Sequence, residues 1–180
     1  MAQRLAGKTA LITGATSGMG VDVVRRFVDE GARVVFCGRS VEAGEAVART
    51  IGSGARFVRA DVTCEADVIA LVDAARDAFG GRIDFLFNNA APAMRDTPVT
   101  ALAADEVANA SMAIFGSVVL MTKHVAPVMQ AQGGGSIHNN GSTAAHRANS
   151  SPPRTCATRP GCWRPRARVP GLCRHRWCGW

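Results

Sequence analysis

Five short runs of strand length alternate with stretches of helical apolar spacing along the first 140 residues, and this alternation leaves few folds open. The runs are residues 8–13, 34–37, 56–60, 83–87 and 136–140. Between them, Val21, Val24, Phe27 and Val28 recur at helical spacing, residues 41–51 and 65–79 read as helices, and residues 107–130 form one long apolar helical region. Gly31, Gly52-Ser53-Gly54, Gly80-Gly81 and Gly133-Gly134-Gly135 stop the helices, and Pro127 is expected to kink the last one or end it early. Strands joined through short links and helices must run parallel, with helices over both faces, so the class is α/β with a doubly wound parallel sheet. Hydrophobic residues make up 47% of the chain, enough for a buried core.

The pattern stops near Ser142, and so does the composition. Residues 1–142 carry 13 Lys and Arg against all 14 Asp and Glu, whereas residues 143–180 carry eight Arg and no acid. The formal charge of +7 therefore belongs to the last segment, together with all three Trp, four of the six Cys and five of the eight Pro. The expected organisation is a domain at 1–142, incomplete after its fifth strand, and an irregular tail at 143–180. No uninterrupted apolar run reaches the roughly 18 residues of a membrane span, and the N-terminus lacks a secretory signal, so a soluble cytoplasmic protein without membrane partners is expected.

Thr13-Gly14-Ala15-Thr16-Ser17-Gly18-Met19-Gly20 lies between the first strand and the first helix. Glycines there let the backbone turn sharply and approach a pyrophosphate, to which a helix N-terminus offers free N–H groups and a positive dipole end. Three further landmarks follow later strands: Asp61-Val62, Asn88-Asn89-Ala90-Ala91, and the run from Gly135 to Ser142. In this order the four motifs resemble the short-chain dehydrogenase/reductase family over residues 5–142, with Ala91 where that family has Gly. The resemblance implies a Rossmann-type domain in which Gly14, Ser17, Gly18, Met19 and Gly20 line the pyrophosphate. It places Asp61, Val62, Asn88 and Ala90 on the adenosine side and Ser142 as the catalytic serine. It further implies oxidation of a secondary alcohol or reduction of the matching ketone, in a family that is usually homo-oligomeric.

Charge selects the cofactor. The second strand ends Cys37-Gly38-Arg39, with Gly38 where an acid would hold the ribose 2′-hydroxyl of NAD. A guanidinium at Arg39 suits a 2′-phosphate instead, so NADP is expected, with NAD as the alternative.

Half of the chemistry implied by the resemblance is missing. The family's proton donor is a Tyr, with a Lys four residues later that lowers its pKa. That Tyr belongs near Thr155, and the chain contains no Tyr; Arg159 stands at the Lys position. The family's Asn belongs near Ile114 or Phe115. A shift of reading frame accounts for this. With Arg154 encoded CGT, the shifted frame joins its last base to the AC of Thr155 as TAC, a Tyr codon. With Thr158 as ACA and Arg159 as AGG, it reads AAG, a Lys codon, four places on.

Two other readings of the tail are weaker. Arg with interleaved Trp suits single-stranded nucleic acid, but no RNA-module signature accompanies it. Cys156, Cys162, Cys173, Cys178 and His175 lack the spacing of a zinc knuckle, so no metal site is expected. The alternative function is thus a non-enzymatic NADP-binding or interaction protein with an Arg-rich tail. Met112, Met121 and Met129 are read as core filling, Lys123 as a solvated helix residue, and His124 and His138 as surface or core histidines without carboxylate partners. The frame hypothesis is decided by the gene: it requires TAC and AAG in the shifted frame at these positions, and other codons there refute it.

Overall fold

The computed structural model describes residues 3–92 and 99–141. Ser142 and the whole tail lie outside the described residues. Strands β1 (Thr9–Ile12), β2 (Arg33–Gly38), β3 (Ala55–Arg59), β4 (Phe85–Asn88) and β5 (Ser136–Asn139) form one sheet in the order β3-β2-β1-β4-β5. Every pairing is parallel. Helices α1 (Met19–Asp29), α2 (Val41–Ile51) and α3 (Glu65–Phe79) connect the first four strands, and α4 (Ala104–Ser111) and α5 (Ser117–Ala131) lead to β5.

Side chains alternate across the strands, and each set has its own core. Leu11, Val35, Cys37, Leu86 and Ile137 face α3 and α5, where Leu71, Ala75, Met121, Val125 and Met129 bury them. Ala10, Ile12, Val34 and Phe36 face α1 and α2 and meet Val24, with Phe27, Val47 and Phe57 packed around. All four residues of β1 are buried, as expected of a central strand covered on both faces. Gly44 is small for the same reason: a Cβ there would run into the ring of Phe57.

The base of the sheet is held by a buried polar knot. Asp84 Oδ2 accepts from the Thr9 backbone N–H and hydroxyl, each at 3.0 Å, and Oδ1 accepts from Arg82 at 2.9 Å. Burial works against ionisation of Asp84, but the Arg82 and Thr9 hydrogen bonds outweigh it and hold the carboxyl below its ordinary range. Beside it, the Gln132 amide accepts from Ile83 N–H at 2.9 Å and donates to Ile83 C=O at 2.8 Å, tying the end of α5 to the start of β4.

The long helical region departs from expectation in five ways. It begins at Ala104, and a π-helical turn over Met112–Gly116 separates α4 from α5. Pro127 does not end α5, which continues to Ala131; Pro127 and Lys123, whose carbonyl loses its helical donor, are both exposed. Met121 and Met129 fill the core, whereas Met112, at the start of the π turn whose Ile114 is buried, is exposed. Finally, the helical stretch Ala104–Ala131 is long and apolar enough to cross a membrane, an 18-residue window within it having a mean hydropathy of 1.5. Counting uninterrupted runs missed it because Ser111, Ser117 and Lys123 break them.

Asp84 carries a pH signature. Its folded pKa is depressed, so its contribution is present above the unfolded value, about 3.9, and is lost as pH falls through the folded value. Asp84→Asn should destabilise by about 2 kcal/mol at pH 7. Urea titrations should show that deficit shrinking below pH 4.

Candidate functional site

The conserved direction of a parallel sheet brings the ends of all five strands to one edge, and the sequence landmarks gather there. β1 ends in Thr13, whose N–H donates to Phe87 C=O at 3.0 Å. The buried Thr13 hydroxyl oxygen accepts from the backbone N–H groups of Asn89 and Ala90, at 3.0 and 3.1 Å. Asn89 Nδ2 donates to Gly14 C=O at 3.0 Å. The turns after β1 and β4 are thus bonded into one unit where the strand order reverses, the place at which open α/β sheets bind ligands.

The glycines of the turn serve different ends. Gly14 has φ +65°, and a Cβ on it would lie 2.5 Å from Ala90 Cα. A Cβ on Gly20 would lie 2.5 Å from Gly14 O, so α1 packs directly on the turn. Gly18 has φ +56° with open space where a Cβ would go, which leaves room beside the backbone. No side chain caps α1, and Ser17, Gly18 and Met19 are exposed. The result is a cradle of backbone N–H groups at a positive helix end, suited to a phosphate.

The other expected residues surround this cradle. Gly38 ends β2, with Arg39 exposed beside it. Asp61 follows β3; its Oδ1 accepts from the Thr63 N–H at 3.0 Å and the Thr63 hydroxyl at 2.7 Å. Those two bonds hold the Asp61 carboxyl below its ordinary pKa, with Arg39 and Arg59 adding attraction. Val62 is 8% exposed and its side chain belongs to the core, so what it offers a ligand is chiefly backbone. Asn88 is buried; its Nδ2 donates to Asn139 Oδ1 at 2.9 Å, while its Oδ1 has no partner among the described residues. Ala90 lines the turn against Gly14.

Several residues were not singled out by the sequence. Thr13 is the hub, and Asn139 and Asn140 extend the site: Asn140 Nδ2 donates to Asn89 Oδ1 at 2.9 Å, one step beyond the Asn88–Asn139 pair. The signal was available, since Asn88-Asn89 and Asn139-Asn140 end neighbouring parallel strands in register. At the family's Asn position, Ile114 is buried and Phe115 exposed. Lys123 and His124 both reach Glu65 Oε1 on α3, at 2.7 and 2.8 Å. His124 therefore does have a carboxylate partner, supplied from 59 positions away. Among the described residues no group of His, Cys, Asp and Glu could hold a metal. A cavity of about 370 Å³ beside Arg76, Pro127 and Gln132 lies at the opposite end of the sheet.

A doubly wound sheet with an uncapped, glycine-lined helix N-terminus at its switch point defines the dinucleotide-binding class of α/β protein. The family model for short chain dehydrogenases matches residues 8–159, and the chain belongs to that family. The sex determination protein tasselseed-2 of Zea mays is 39% identical over 153 residues, covering 81% of this chain and 44% of that protein. A 3-alpha-(or 20-beta)-hydroxysteroid dehydrogenase of Mycobacterium bovis is 49% identical over 90 residues, covering 50% of this chain and 34% of the relative. The chain thus matches less than half the length of either relative. Among solved structures, a 3-ketoacyl-(acyl-carrier-protein) reductase from Brucella melitensis, complexed with NADH, superposes with a TM-score of 0.82 at 37% identity, covering 86% of this chain and 65% of that one.

Thr13→Val keeps the shape of the hub and removes its acceptor. It strands two backbone N–H groups and should destabilise the fold by about 2–3 kcal/mol, read as a lowered midpoint in urea unfolding.

Proposed function

We propose that this chain binds a nicotinamide dinucleotide, NADP in preference to NAD, and derives from an oxidoreductase that interconverts a secondary alcohol and a ketone. The observation that carries this is the cradle of Gly14, Gly18 and Gly20 at the uncapped start of α1, with Arg39 at the neighbouring strand end. Ser17 and Met19 flank the pyrophosphate in this reading, and Arg39 pairs with the ribose 2′-phosphate. Asp61, with one oxygen engaged by Thr63, turns its other oxygen to the adenosine, and Val62 contributes backbone there. Asn88 and Ala90 form the wall beyond it; the buried Asn88 Oδ1 has no hydrogen-bond partner among the described residues. When bound, the nicotinamide supplies or takes up a hydride. What the chain must add is a proton at the substrate oxygen.

That proton is where the chain falls short. Ser142 orients the substrate oxygen in this proposal, but there is no Tyr to exchange the proton. Loss of a general acid costs about 10² to 10⁴ in rate, so turnover is close to background. We assign residues 1–142 to the dinucleotide-binding domain and residues 143–180 to a frame-shifted tail. The soluble, cytoplasmic reading is supported by the apolar inner face of α5, which the sheet occupies.

The missing Tyr also favours the second reading, a folded cofactor-binding protein with no catalysis. Melting with and without NADPH, beside a turnover assay, separates the possibilities. A cofactor-induced rise without turnover fits a binding protein, and alcohol-dependent NADPH formation at family rates refutes the impairment. Arg39→Ala should weaken NADPH by about tenfold while changing NADH by less than about twofold; equal losses for both cofactors would remove Arg39 from the phosphate site.

A further inference from the structure

Gly38 is not explained by its backbone. It is absent from the residues with positive φ, sits at the end of β2 opposite Arg59, and accepts at its carbonyl from the Ala60 N–H at 3.1 Å. What the position lacks is space. A Cβ there would lie 2.5 Å from Thr16 Cγ2, 2.8 Å from Thr16 Oγ1 and 3.2 Å from Thr16 Cβ. Two of these contacts are closer than real Cβ atoms tolerate. Rotation about χ1 cannot clear all three, because the threonine is branched at the atom that makes the third. Nor can the turn simply retreat, since the Ala15 N–H is bonded to Cys37 C=O at 3.0 Å, immediately before Thr16 and Gly38 in each segment.

We propose that Thr16 is a cofactor-selectivity determinant that acts through position 38: its side chain fills the space any residue there would need, excludes a 2′-hydroxyl-binding acid from the strand end, and leaves that corner to Arg39. The proposal deepens the NADP reading above and rests on it for its functional meaning. Thr16 is a positioning residue in this scheme, and Gly38 is a consequence of it. Selectivity is then a property of a pair, half of which lies in the phosphate turn and half in the next strand. Acid at 38 and threonine at 16 are alternatives, so changing the first without the second should cost fold rather than switch cofactor.

A double-variant cycle on the full chain tests this, with thermal melting and fluorescence titration of NADPH and NADH as readouts. Gly38→Asp alone should lower the melting temperature and weaken both cofactors. Adding Thr16→Ala should recover most of the melting loss and move the NADPH-to-NADH affinity ratio toward NADH by at least about tenfold relative to the unmodified chain. A parallel cycle with Gly38→Ala isolates space from charge and decides the matter if the Asp variants do not fold: Thr16→Ala should again relieve the loss. The proposal is overturned if Gly38→Asp or Gly38→Ala melts like the unmodified chain, or if Thr16→Ala relieves neither. It is equally overturned if Gly38→Asp alone switches the preference. Tighter binding of NADH by the unmodified chain would instead refute the NADP reading, while the two melting cycles would still report whether Thr16 bars position 38.

Discussion

Gly14 approaches Ala90 so closely that a Cβ would stand 2.5 Å from its Cα, and this contact joins the two halves of the sheet at the point where strand order reverses. Everything at the ligand-facing edge follows from it. With the turns after β1 and β4 in contact, one hydroxyl, that of Thr13, can satisfy two backbone N–H groups of the later turn. With Gly20 equally close to the Gly14 carbonyl, α1 starts directly above β1 and its positive end points into the gap. A larger residue at 14 would spread the turns, unsatisfy the hub and tilt the helix together.

The architecture was legible because its signals are periodic and local. Buried parallel strands write themselves as short apolar runs, and the bounds of α2 and α3 agree with the expected ones because Ser40 caps one and Gly80 ends the other. The long helix was less legible. A π turn has no composition signal, and the exposure of Pro127 depends on which face packs, which only the fold decides. In the site, the residues that follow strands were found as motifs, but the bonds between them were not. Asn89 reaching Gly14, or Asn140 reaching Asn89, depends on which strands are neighbours, and the order β3-β2-β1-β4-β5 is not written in any one segment. His124 shows the same limit, since its carboxylate partner lies on another helix.

In the proposed reading, cofactor recognition and catalysis draw on different parts of the chain. The cradle is complete within the first two strands and the turn after the fourth. The proton donor belongs to a stretch where the composition has changed and Tyr is absent. A chain of this kind can keep the geometry of recognition while losing chemistry, and the two faces of its sheet remain packed by residues before 142.

The paired asparagines at the ends of β4 and β5 carry a consequence for how the sheet comes apart. β5 gives the buried core only Ile137, so its register depends heavily on the amide pairs Asn88–Asn139 and Asn89–Asn140, at its end and just past it. Polar pairs at an edge are open to competition from water, whereas β1 is locked between two apolar layers. Among the described strands, β5 therefore opens before β1. The asparagine turns after β4 and β5 loosen while the hydrophobic centre is still closed, so amide exchange there should be governed by local rather than global unfolding.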